Sequence, residues 1–140
     1  MMNMTMQMME NHLKDMPMQG MDMALMQECI EASAACEQAC TMCADSMMAE
    51  GMSMARSMCA NTADMANTMM RAMLRPNGMQ MDSMMAMHMA SMTMAAACAE
   101  ECMKHADMSD DARMCAEACR QCAMACQKMM EAMKGMMPAS

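Results

Sequence analysis

Residues 115–126 read Cys-Ala-Glu-Ala-Cys-Arg-Gln-Cys-Ala-Met-Ala-Cys, so Cys115, Cys119, Cys122 and Cys126 follow one another at steps of four, three and four. At 3.6 residues per turn such steps return to a single face of a helix. The segment therefore predicts a helix carrying a ladder of thiols along one stripe. A second ladder, Cys36, Cys40 and Cys43, has Cys29 one heptad before it, and Cys98, Cys102 and Cys59 are fragments of two more. A helix that turns a row of sulfurs towards other such helices builds a soft, sulfur-lined interior.

The apolar complement is equally restrictive. Aromatic residues and valine are absent, leucine occurs only at positions 13, 25 and 74, isoleucine only at Ile30, and 38 methionines stand in their place. Methionine is flexible and specifies packing poorly. Two readings of it remain open. In one, methionine is core filler in place of Leu, Ile, Val and Phe, as in an engineered Met-rich structural bundle. In the other, thioethers serve as ligands, because soft sulfur selects Cu(I).

The eleven cysteines are an odd number at helical spacing. Neighbours at i and i+4 have Cβ atoms about 5–6 Å apart, whereas a disulfide wants about 3.5–4.5 Å. The thiols are therefore expected reduced or metal-bound, which suits the cytoplasm. Residues 1–20 show no export signal, and no apolar run reaches transmembrane length. A net charge of −8 argues against nucleic acid.

Helical patterns run from Asp22 to about Glu50, Ser53 to Leu74, about Met79 to His105, and from the acidic Asp107–Asp111 stretch to Lys134-Gly135. Arg75-Pro76-Asn77-Gly78 is a strong turn signal. A short helix is expected within residues 1–16, ended near Pro17 and Gly20. The fold class is all-α: an antiparallel four-helix bundle over residues 21–135, preceded by a Met-rich segment 1–20 and followed by a tail 136–140. Antiparallel order places Cys43, Cys59, Cys102 and Cys115 at one end. The opposite end is expected to be lined by Met70, Met73, Met84, Met87 and Met133.

Structural zinc wants closed groups of four ligands, and ferredoxin spacing is absent. A zinc or thiol-redox protein remains an alternative, but a redox pair needs a C-x-x-C at an exposed helix N-terminus, and Cys40–Cys43 and Cys119–Cys122 lie within or late in their helices. Cu(I) accepts two or three sulfurs, and each sulfur can bridge two metals, which suits a continuous ladder. His105 lies one heptad after Cys98 and shares its face. His88 is about 80° off that line by the helical repeat and reads as a bundle-wall residue. His12 reads as solvated, as do Glu100, Glu101, Glu117 and Glu131. No catalytic constellation is present, so an enzyme is not expected.

The segments Cys98-Ala-Glu-Glu-Cys102-Met-Lys-His105, Cys115-Ala-Glu-Ala-Cys119-Arg-Gln-Cys122 and Cys29-Ile-Glu-Ala-Ser33-Ala-Ala-Cys36-Glu-Gln-Ala-Cys40-Thr-Met-Cys43 resemble the copper storage protein family. The resemblance spans about residues 22–134. It implies a four-helix bundle, often tetrameric, that stores or buffers multiple Cu(I) ions on Cys29, Cys36, Cys40, Cys43, Cys59, Cys98, Cys102, Cys115, Cys119, Cys122 and Cys126. It also implies that His105 helps admit copper at a bundle end, with copper chaperones or small thiols as donors. Ser33 and Met47 depart from the pattern, occupying rungs where thiols could stand. Met81, Met85, Met89, Met92 and Met103 fall about 100–180° from the Cys98–Cys102 line, an apolar stripe expected to bind a second copy in a homo-oligomer, dimer or tetramer.

Overall fold

The computed structural model describes residues 4–14, 21–78 and 80–136. Its elements are α1 (Met4–Leu13), α2 (Met23–Ser46), α3 (Ser53–Met73), a 3-10 turn (Pro76–Gly78), α4 (Met81–Met103) and α5 (Asp110–Met136). Among the described residues there is no strand.

Local chemistry accounts for the boundaries. Asp22 is extended (φ −67°, ψ 111°), and its carboxylate accepts from the Ala24 N–H at 2.9 Å, satisfying one of the free donors that open α2. Gln80 caps α4 through a bond from the Ser83 N–H at 3.3 Å. Ser109 caps α5 by accepting from the Ala112 N–H at 3.1 Å, with Asp110 and Asp111 beside the positive end of the dipole. Between α2 and α3 the chain reverses through Gly51 at φ 85°, a conformation open to glycine.

Two ends differ from expectation. α2 stops at Ser46 rather than near Glu50, the Met47 N–H bonding back to the Cys43 carbonyl. α5 continues through Gly135 to Met136, because Gly135 does not take the left-handed conformation that ends a helix. The expected helix stop at Pro17 and Gly20, the start at Met79 and the tail beyond residue 136 lie outside the described residues.

The register is read directly from side-chain contacts. Cys29 meets Cys126, Ser33 meets Cys122, Cys36 meets Cys119 and Cys40 meets Cys115. As the α2 number rises the α5 number falls in step, which is antiparallel packing. α3 packs on α2 and α4 on α5, while α4 also touches α3, closing a four-helix bundle. α1 lies against α2 and the 3-10 turn, and Met6, Met9 and Leu13 join the same apolar core at the end away from Cys43.

The inward faces explain which methionines are buried. Met73, Met84 and Met133 are buried as expected. On α3 the buried stripe runs Ala55, Cys59, Thr62, Ala66, Met69, Met73, centred to one side of Cys59. Met69 therefore enters the core and Met70 is only half-buried. On α4 the stripe Met84, His88, Ser91, Ala95, Cys98, Cys102 is centred about 40° from Cys98. That offset carries His88 inward and leaves Met87 half-buried, correcting both expectations. It also breaks up the outer methionine stripe: Met81, Met85 and Met92 pack against the core, and only Met89 and Met103 are exposed.

Candidate metal centre

All eleven cysteines are free and buried, although α2, α3, α4 and α5 contribute them from distant parts of the chain. Cys43 from the last turns of α2, Cys59 from the start of α3, Cys102 from the end of α4 and Cys115 from the start of α5 meet at one end. Their sulfurs all lie within 4.8 Å of one another. Cys59 Sγ is 3.5 Å from Cys102 Sγ, 3.7 Å from Cys98 Sγ and 3.9 Å from Cys115 Sγ. Met47, the residue just past α2, continues its thiol line outward, and its thioether accepts from the Cys43 thiol at 3.1 Å.

One layer inward, Cys40, Cys98, Cys115 and Cys119 form a second four-sulfur group within the same limit. Cys40 Sγ stands 3.4 Å from Cys119 Sγ, 3.6 Å from Cys115 Sγ and 4.0 Å from Cys36 Sγ, and Cys36 Sγ is 3.8 Å from Cys119 Sγ. Cys115 belongs to both groups. Two isolated tetrathiolate zinc sites would each need their own four sulfurs, whereas a bridging thiolate serves two metal ions at once, the arrangement that suits several Cu(I) ions in one thiol-lined space. The sulfurs thus run as a continuous path from Cys43 to Cys36.

On α2 the ladder lacks a thiol at Ser33, whose hydroxyl faces Cys122 Sγ at 3.9 Å, and Cys122 on α5 carries the sulfurs on from Cys36 to Cys126. Beyond Ser33 lies Cys29 Sγ, 4.0 Å from Cys126 Sγ, with a ring nitrogen of His88 completing a three-ligand group. His88 is 0 % exposed, yet neither ring nitrogen makes a hydrogen bond of acceptable geometry.

Proton sharing within the dry interior sets the electrostatics. Cys115 is held well below the usual thiol range by its hydrogen bonds with the neighbouring thiols, Cys102 first and then Cys119 and Cys40. Those neighbours are pushed up by Cys115 in return. Cys29 falls to about 6, chiefly because Cys126 donates to it, with His88 adding to the effect. Cys43 is pushed up to about 11 by burial. Few thiolates coexist in such a space without a cation, because each buried charge needs compensation. A monovalent metal that replaces thiol protons supplies it.

His105 lies just past α4 at the Cys102 end, in the His105–Met108 turn. Its Nε2 is 3.4 Å from Glu101 Oε2, an ion-pair distance without hydrogen-bond alignment. Glu101 is buried rather than solvated, because Lys104 folds over it with Nζ 3.1 Å from Oε1 and holds its carboxyl below the usual range. Glu100, Glu117 and Glu131 are exposed, as is His12. Around the same end Met48, Met54, Met103 and Met108 are exposed.

The residue that sequence reasoning missed is His88. Measured from Cys102 instead of Cys98 it lies only about 40° off line, a signal that the choice of reference residue concealed.

A family model described as copper storage protein matches residues 22–131. Among solved structures, the copper storage protein of Streptomyces lividans loaded with 10 copper equivalents superposes with a TM-score of 0.79 at 33% identity, covering 88% of this chain and 98% of that one. A structure described as copper loading to a cytosolic copper storage protein from the same organism, with five coppers, gives 0.74 at 35% identity, covering 77% and 93%. A double histidine-to-alanine variant from that organism gives 0.77 at 34% identity, covering 81% and 98%. No curated protein matches the chain.

Proposed function

Because this chain belongs to the copper storage protein family, we propose that it stores copper as Cu(I) on the thiols lining its bundle. The eleven cysteines are the ligands, each deprotonated as an ion binds, and neighbouring ions share sulfurs. The membership of Cys115 in both four-sulfur groups is the observation that carries this reading. The function is reversible uptake and release without turnover. A Streptomyces relative described as cytosolic supports a cytoplasmic place for this chain.

His105 and Met47, beside the outermost thiols, hand copper inward from chaperones or small thiol complexes. An imidazole and a thioether are neutral, so they pass on a cation more readily than a thiolate would. Anaerobic titration of the reduced protein with Cu(I) against a competing chelator tests the function. With bridging ligands the capacity approaches the thiol count, on the order of ten ions per chain. Saturation at two or three ions would refute shared ligation.

The chain assembles as a homo-oligomer through α4, where Met89 is exposed beside half-buried Met85 and Met92. Replacing Met85 and Met89 by Glu then gives a monomer that still fills with copper. A parent protein that sizes as a monomer at micromolar concentration rules the interface out.

A further inference from the structure

We propose that Cys29, Cys126 and His88 form a separate mononuclear site that binds one Cu(I) through two thiolates and one imidazole nitrogen. The inference rests on the storage function and specifies a ligand set within it that the thiol ladders do not contain.

His88 is the starting point. A fully buried imidazole without a hydrogen bond is rare in a native interior and calls for a partner. Its ring nitrogen and the two sulfurs already converge within 4.8 Å of one another. The spacing of the sulfurs selects a coordination number. With metal–sulfur bonds of about 2.3 Å, a trigonal ion holds two sulfurs about 4.0 Å apart and a linear one about 4.6 Å. Cys29 Sγ and Cys126 Sγ stand at 4.0 Å, so a three-coordinate ion fits between them without moving either.

Ser33 removes the α2 thiol next to the site and leaves Cys122 of α5 as the sulfur between it and the ladder. Its hydroxyl occupies the α2 rung between Cys29 and Cys36, where a thiol would have continued the ladder. Charge favours the imidazole as third ligand. Cu(I) with two thiolates and a neutral imidazole carries one negative charge, against two with three thiolates, and the smaller charge is easier to bury. Loading this site places the ion on the thiolates of Cys29 and Cys126, displaces to solvent any proton the pair still holds, and changes no oxidation state.

The test uses the full reduced chain, equilibrated anaerobically with Cu(I) under a competing chelator. Parent, His88→Gln, Cys29→Ser, Cys126→Ser and the double Cys29→Ser/Cys126→Ser variant are compared after circular dichroism confirms their fold. Each single variant is expected to lose one copper equivalent, and the double variant the same one. A double variant that loses two or more shows that these sulfurs bridge into the ladder and overturns the proposal. Cu(I) is diamagnetic, and the chain has three histidines, so the ring nitrogens of 15N-histidine-labelled protein give a second readout. One nitrogen signal, identified by its loss in His88→Gln, is expected to shift on loading. No shift of that signal at full loading also overturns the proposal. If His88→Gln does not fold, the cysteine variants decide alone. A parent chain that takes up only two or three ions refutes the storage function instead, so the two failures are distinct.

Discussion

Replacing His88 by leucine sets two effects of opposite sign against each other. Without copper, the ring is wholly buried and both nitrogens lack hydrogen-bond partners. A neutral imidazole has one donor and one acceptor, and leaving such a buried group unpaired costs about 1–3 kcal/mol. Leucine removes that cost at the expense of imperfect shape, up to about 1.5 kcal/mol. The apo variant is therefore expected to be more stable by up to about 3 kcal/mol, which for a chain of this size raises the melting temperature by up to about 10 °C. With copper the order changes. An ion held on Cys29, His88 and Cys126 stabilises the parent by about 2.7 kcal/mol when free copper exceeds the site's Kd about a hundredfold, and the variant forfeits most of that gain. Anaerobic thermal melts of both proteins, with and without Cu(I), should show the apo advantage of the variant shrink or invert on loading. An apo variant that melts below the parent would refute the reasoning, because it would show the ring nitrogens to be satisfied in the apo interior.

Cys115→Ser should lose about two copper equivalents at a chelator level that leaves the parent full, because Cys115 stands in both four-sulfur groups; a loss of one or none argues against bridging there. Ser33→Cys, which puts a sulfur where the hydroxyl now faces Cys122 at 3.9 Å, should raise capacity by about one ion in the same titration. The apo fold should weaken above pH 9. Cys43 has its pKa raised from 9.0 to about 11 by burial, so its contribution is intact below the unfolded value and is lost as pH rises from 9 to 11, where the unfolded chain binds fewer protons. Anaerobic melts at pH 8 and pH 10.5 check the sign, and a higher melting temperature at pH 10.5 would contradict it.

Much of this protein is legible in one dimension because helical periodicity is a local property. Steps of three and four between cysteines place the thiols on common faces whatever the partner, and short connections force antiparallel order. Together they bring Cys43, Cys59, Cys102 and Cys115 to one end, where the structure finds them. Breaker chemistry is local too: Pro76-Asn77-Gly78 forms a turn, and Ser109 and Asp110 open α5. Gly135 was misleading because its helix-ending role depends on a left-handed backbone it does not adopt.

Tertiary packing alone decided where the centre of each buried stripe falls. A helix can rotate by tens of degrees about its axis while keeping most of its apolar side chains covered. That rotation is set by what its neighbours present. On α4 it carries His88 into contact range of Cys29 and Cys126 and leaves Met87 at the margin. On α3 it exchanges Met70 for Met69. The burial of Glu101 under Lys104 and beside His105 likewise depends on side chains closing over it at the end of α4. Sequence by itself determined that a thiol-lined bundle forms and which end the thiols crowd. Only the packed structure decided that a histidine stands beside Cys29 and Cys126, past the rung that Ser33 fills, because this depends on the rotation and register of facing helices rather than on spacing within any one of them.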